Sequence, residues 1–497
     1  MARKKKPPKS PASPPKNIQK SSGKSDTIRV PRRSLNYLYI SLVALSFIFA
    51  IILRVLLCWS NPAVNAFDDH FKPIFMIMDS GTIPAKDACW QCYHPPVFYW
   101  ISAMAGNTAV AMGVKYPQIL KILQFIPCFY GILTLVIVYL ILRKLPLSDF
   151  SRIIAFATAC FLPRHIYMSA MNSNDTISYL FVALSIYLLL IAIERKLHPG
   201  FLLMVSIVIS ITLFTKYTSY VVLPVILIVF ASIFFKKIIS PRREVVLSFI
   251  LVILIPVTLL SVYFITNIKT YNTPLPWNVA KLDPSLIQPR DDSRFDFFSF
   301  KPWESIKEPI IVPGRLHSFW TLIYSGMWYD NEPRFVGFLD SNYDWWRHYN
   351  RWYKGEGKFP GGNPSMSSLT KSTAAGLIGL GLVPLLLMII GFYSFFRGSW
   401  RSWTQTEEID VVKINIFPAL LLTNAAGIIA LAVRLPVFSA AKASYFLNSL
   451  PAFAVFLSIG LMPCERNKVL KWTIVTVFCI LFSLAILHIL HIFVALT

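Results

Sequence analysis

Stretches of about twenty consecutive apolar residues return again and again along this 497-residue chain, and nothing else in the sequence narrows its folding choices so far. That is the length a bilayer's hydrocarbon core demands of a helix. Backbone groups in lipid must bond within their own segment, so each run is read as a helix. The runs fall at about 38–57, 118–142, 152–171, 176–193, 200–215, 219–235, 245–266, 373–396, 414–433, 443–462 and 471–494, which predicts about eleven transmembrane helices. Composition agrees. Charged residues make up 14% of the chain, against about 25% in soluble domains, so polar surface cannot cover the fold and lipid must. The expected class is an all-α polytopic membrane protein.

Residues 1–35 are rich in Lys, Pro and Ser and read as a disordered basic tail on the cytoplasmic side. A transmembrane module is expected over 36–266, with a first outer loop at 59–117. A large aromatic-rich outer loop follows at 267–372, and the last helices occupy 373–497. The first run is too long for a signal peptide and lacks a cleavage site of small residues. The formal charge of +24 does not point to nucleic acid. With the tail inside, the short basic loops near 143–152, 194–199, 236–243, 397–413 and 464–471 all fall inside too, as orientation by positive charge requires. An odd number of spans then puts the C-terminus outside. Residues 97–113 are apolar enough to span, but counting them would invert every later loop. Their Pro95-Pro96 start suits a helix lying along the outer interface.

The sharpest chemical signal is in the first outer loop, Asn65-Ala66-Phe67-Asp68-Asp69-His70-Phe71. Two carboxylates beside a span end can take a proton from an acceptor hydroxyl and face positive charge developing on a sugar ring. The plain alternative is a solvated acidic turn. Four cations, Arg164, Lys216, Arg434 and Lys442, are expected at the outer headgroup plane. There they either anchor the helices by snorkelling or neutralise a departing phosphate. Downstream comes Cys89-Trp90-Gln91-Cys92-Tyr93-His94-Pro95-Pro96. Its cysteines leave three readings open: a disulfide, a zinc site with His94 and His70, or free packing thiols.

The pattern "FDDHF", about twenty residues, then "YHPP" and an aromatic helix resembles the protein O-mannosyltransferase family. The wider class is the GT-C glycosyltransferases, which includes the aminoarabinose transferases of lipid A. The segment Pro163-Arg164-His165-Ile166-Tyr167 through Asn174-Asp175-Thr176 looks like that class's third-span segment, and Lys442-Ala443-Ser444-Tyr445 with Pro451 looks like a late "K-x-R-Y…P" segment. The resemblance implies a GT-C fold in which 36–266 is the catalytic module. It implies a multi-pass enzyme that moves a sugar from a polyprenyl-phosphate donor (dolichyl or undecaprenyl) to an acceptor hydroxyl on the outer or lumenal face, with inversion. On that reading the acceptor would be a protein, a lipid or a polysaccharide, and the membrane the inner membrane of a prokaryote or the endoplasmic reticulum of a eukaryote. The resemblance implies Asp68, with Asp69 close behind, as the catalytic acid, and His70, His94, Asp175 and Tyr445 as substrate contacts. It calls for no metal or other cofactor. Two departures stand out. The family's acidic pair is separated from its His by one residue, whereas Asp69 abuts His70. Ser444 replaces an expected Arg, so its phosphate role passes to Lys442 or Arg434. The reading from another class is a transporter or flippase for a lipid-linked substrate. That would place ionisable groups at mid-membrane, whereas these cluster at span ends.

Overall fold

The computed structural model describes residues 37–63, 65, 69–235, 241–276, 297–311, 318–336, 339, 366–405, 409–434 and 441–497, with backbone alone at 398–405 and 409–414. The basic tail, Asp68, and Trp345, Trp346 and Trp352 of the aromatic segment lie outside these residues.

The described elements are helices and connecting turns. In chain order the helices are α1 (Tyr37–Ser60), α2 (Phe71–Ser80), α3 (Val97–Ala111), α4 (Tyr116–Arg143), α5 (Asp149–Phe161), α6 (Pro163–Ser169), α7 (Asp175–Glu194), α8 (Pro199–Leu213), α9 (Val222–Phe235) and α10 (Arg242–Tyr271). After them come α11 (Pro302–Lys307), α12 (Phe319–Trp328), α13 (Ser368–Leu380), α14 (Leu382–Gln405), α15 (Ile409–Arg434), α16 (Ala443–Phe446), α17 (Leu450–Leu461) and α18 (Lys468–Leu496). Among the described residues, nine helical segments are long and apolar enough to cross a membrane. The chain is an integral multi-pass membrane protein. The expected count of about eleven is not reached, because two of the runs are shorter as helices. The 152–171 run is broken in two, and the 200–215 run makes a helix of 15 residues.

The break has a local cause. Pro163 has no N–H to donate and pushes the residue before it out of helical conformation. Leu162 accordingly sits at φ −66, ψ 112. Helix ends leave carbonyls without intrahelical partners, and here Arg54, buried in α1, donates to Cys160 O at 3.0 Å.

Burial sorts the helices by position. The apolar window of α7 is 78% buried, whereas that of α1 is 28% buried. Leu38, Leu45, Ile48 and Ile52 of α1 point outward, as do Leu254, Val257 and Val262 of α10. Apolar faces this continuous would drive association in water, and in a bilayer they meet lipid. Helices α14 and α17 cross closely at Gly391 and Gly460. A Cβ on Gly391 would run into the carbonyl oxygen of Phe456, and one on Gly460 into that of Leu387. Small residues that let two backbones touch are a regular means of helix association in membranes.

Part of the aromatic segment expected as an outer loop is core. Helix α12 is buried over most of its length and packs on α6, α11, α13 and α16. Ser318 caps it by accepting from Thr321 N. Trp328, at its end, lies so close to Gly381 between α13 and α14 that a Cβ there would come 2.6 Å from the indole Nε1.

Candidate functional site

The loop carrying the acidic motif is held from its N-terminal side. Lys121 Nζ caps the end of α1 by donating to Cys58 O at 3.0 Å, Trp59 O at 3.1 Å and Asn61 O at 2.7 Å. Asn61 Nδ2 and Gln124 Nε2 both donate to Ala170 O, at 2.8 Å each. Asn65 Nδ2 then bridges Asn61 Oδ1 at 2.7 Å and Arg334 O at 2.9 Å. The start of the motif is thereby fixed between α4, the end of α6 and segment 329–336. Asp69 is exposed and His70 is buried.

His70 Nδ1 lies 2.9 Å from Tyr99 OH, and its ring stacks on Tyr99 and on His94 at 6.2 Å between centroids. His94 in turn packs against Tyr93 and Tyr217. Its loop is tied down by Lys86 Nζ donating to His94 O at 3.1 Å and by Tyr217 OH donating to Tyr93 O at 2.8 Å. Cys89 and Cys92 form a disulfide in this loop. That removes the zinc reading, because bonded sulfurs cannot act as thiolate ligands.

Tyr217 leads directly to Lys216, whose Nζ sits 2.7 Å from Asp175 Oδ1, with both side chains almost wholly buried. Asp175 opens α7, where the positive end of the helix dipole favours a carboxylate. Lys216 Nζ also lies 5.3 Å from the centre of the Tyr445 ring. A polar seam beneath holds these elements in register. Ser178 Oγ meets Asn448 Oδ1 and Ser219 Oγ at 2.8 Å each, and Tyr179 OH donates to Ser444 O at 2.7 Å.

Arg164, at the start of α6, is 2% exposed. Its Nε donates to Gly326 O at 2.6 Å and its Nη2 to Asn331 Oδ1 at 2.8 Å. Both acceptors are neutral, so the guanidinium charge is held without being cancelled at those contacts. Gly326 leaves little room for a side chain: a Cβ would come 3.0 Å from Ala443 Cβ and 3.2 Å from Arg164 Nη2. Beside this contact lies an apolar cavity of 310 Å³ between α5, α12, α14 and α17, lined by Leu162, Met327, Trp328, Leu385, Phe446 and Leu450 among others. Leu162 is two residues from Arg164, and Met327 is next to Gly326. Lys442 is buried just before α16. Arg434 stands exposed at the end of α15.

The structure therefore brings His70, His94, Lys216, Asp175, Tyr445 and Arg164 to one end of the bundle, with Lys442 in the chain beside Tyr445. The sequence reading missed segment Asp330-Asn331-Glu332-Pro333-Arg334, whose four polar members are all buried. Asp330 Oδ2 accepts from Phe335 N at 2.6 Å and Val336 N at 3.1 Å. Burial pushes its carboxyl up, against the pull of the Arg164 charge. Glu332 Oε2 is buried with no hydrogen-bond partner. Four polar residues around a proline in an otherwise aromatic stretch were the available signal.

A multi-helix membrane protein with a buried charged centre at one end of its bundle is the class these features define. Residues 93–261 match the family model described as dolichyl-phosphate-mannose-protein mannosyltransferase. No curated protein sequence matches it. Among solved structures, the archaeal oligosaccharyltransferase AglB from Archaeoglobus fulgidus, in complex with an inhibitory peptide and a dolichol-phosphate, superposes with a TM-score of 0.51 at 12% identity, covering 91% of this chain and 56% of that one. The fold is thus shared with AglB, while the chain spans a little over half of AglB's length. ArnT from Cupriavidus metallidurans in its apo state matches at 13% identity over 86% of this chain and 78% of that one, with a TM-score of 0.35.

Proposed function

We propose that this protein is a glycosyltransferase that moves a sugar from a polyprenyl-phosphate donor to an acceptor hydroxyl on the non-cytoplasmic side, with inversion at the sugar carbon. The observation that carries the reading is Arg164: a buried guanidinium, bonded to neutral oxygens, two residues along the chain from Leu162 in the lining of an apolar cavity. A lipid phosphate needs this pairing of features, a cation for its head and an apolar surface for the first part of its tail. The match to a family named for a dolichyl-phosphate-mannose donor, and the dolichol-phosphate bound by AglB, support it.

The chemistry follows. The acceptor oxygen attacks the sugar carbon from the face opposite the phosphate. Its proton passes to a carboxylate, for which Asp68 is the first choice and Asp69 the second. The bond between sugar carbon and phosphate oxygen breaks, and its electron pair stays on the lipid phosphate. Preorganised positive charge at a departing oxyanion is commonly a large catalytic contribution, and Arg164 is placed to give it. Lys216 is differently situated, since Asp175 already neutralises it, so its role is to shape the sugar side. The sugar and the acceptor are left to experiment. Purified full-length protein incubated with a panel of polyprenyl-phosphate sugars should release free lipid phosphate. Substituting Asp68 and Asp69 together to Asn should abolish that release, and unchanged transfer in this double variant would remove the mechanism.

A further inference from the structure

Asn172 and Asn174 flank Ser173 immediately before α7. Both are wholly buried, yet none of the four polar atoms of their amides has a hydrogen-bond partner. Thr176 Oγ1 and Ser444 Oγ are in the same condition. The first three stand in the turn into α7, and Ser444 lies against that helix. Tyr179, one turn into α7, donates to the backbone of Ser444, while Lys216 joins Asp175 to the ring of Tyr445.

Native proteins pair nearly all their buried polar atoms, and leaving one unpaired carries a desolvation penalty. Six such atoms, five of them within residues 172–176 and the sixth on the segment bonded to α7 through Tyr179, mark a place that something else completes. The chemistry of the partner can be read from the set. Each amide offers two N–H donors and one oxygen acceptor, and each hydroxyl works both ways. Among the described residues the carboxylate of this turn is that of Asp175, and it is already closed by Lys216 at 2.7 Å. What remains is a neutral array of donors and acceptors. A phosphodiester only accepts hydrogen bonds, so it would leave the amide oxygens without a donor. A cationic amino sugar would find the Asp175 charge already cancelled. Sugar hydroxyls donate once and accept twice, and they fit.

We propose that Asn172, Asn174, Thr176 and Ser444 form a subsite for a neutral polyhydroxyl sugar, the donor's transferred residue. The assignment rests on the glycosyl-transfer reading above, so its test includes a readout independent of turnover. Thermal stabilisation of the purified full chain is compared between polyprenyl phosphate alone and polyprenyl-phosphate hexose. The hexose should add stabilisation in the wild type. The increment should vanish in Asn172→Ala and Asn174→Ala and shrink in the milder Thr176→Val, which keeps shape. In turnover assays the two Asn variants should raise the KM for a neutral-hexose donor about tenfold, as expected for loss of a buried hydrogen bond. A rise confined to the acceptor KM would overturn the assignment to the donor's sugar. An unchanged hexose increment in variants that fold would show that the cluster holds only water, and a wild-type preference for an amino-sugar donor would also overturn the proposal. If the wild type turns over no donor but still shows the Asn-dependent increment, the transfer reading fails and the sugar subsite stands.

Discussion

Lys216 and Asp175 form a buried ion pair beside the proposed sugar subsite, and separating them gives the most direct test. At 2.7 Å the gross attraction is about 6 kcal/mol with an effective dielectric of about 20. Desolvation of two ions offsets most of it, so the intact pair contributes little net stability. Breaking it is another matter. With side chains 5% and 2% exposed, Lys216→Met leaves a buried carboxylate and Asp175→Asn leaves a buried ammonium, each expected to destabilise by about 3–5 kcal/mol. In the double variant no charge is stranded, and the loss should fall to about 1 kcal/mol, the repacking cost of a roughly volume-conserving swap. The double-mutant cycle should therefore show a coupling of about 5 kcal/mol or more. The measurement is denaturant unfolding of the full chain in detergent, followed by intrinsic fluorescence. Additivity within about 0.5 kcal/mol would mean that the two charges do not feel each other. The description of the cluster around Asp175 as neutral would then fall.

Three further outcomes follow from the geometry. Arg164→Met should raise the KM for any polyprenyl-phosphate donor and lower kcat, whereas Arg164→Lys should keep charge but lose one of the two contacts to Gly326 and Asn331 and recover only part of the activity; equal activity in all three proteins would refute the phosphate role. Gly460→Ala should separate α14 from α17 by pushing on the Leu387 carbonyl, at the upper end of the about 1–3 kcal/mol that overpacking costs, and a melting temperature unchanged in detergent would contradict that close crossing. Asp330 has its carboxyl raised by burial, so folding favours its protonated form, and its contribution to stability falls as pH climbs from the ordinary carboxylate range toward the raised value. Asp330→Asn should flatten that slope in thermal unfolding as pH rises above the ordinary carboxylate range of about 4, and an unaltered slope would show that Asp330 is not its source.

The periodic apolar runs were enough to determine that this chain lies in a membrane as a helical bundle, because a hydrocarbon solvent leaves the backbone no other economy. They also located most of the helices, since length and hydropathy are local properties. The order of residues around Asp68, His94, Arg164 and Lys442 carried the family resemblance. Sequence could not show that the 152–171 run breaks at Pro163 and that Arg54, on another helix, stabilises the break. It could not show that Lys216 is cancelled by Asp175 while Arg164 rests on neutral oxygens, or that helix α12, from a stretch that reads as outer loop, closes the apolar cavity. Nor could it show that Asn172 and Asn174, indistinguishable in sequence from loop asparagines, are buried without partners. Each of these depends on which side chains meet across long separations in the chain. A residue's charge is written in its own structure, but the balance of that charge is set by its neighbours, and only packing chooses them.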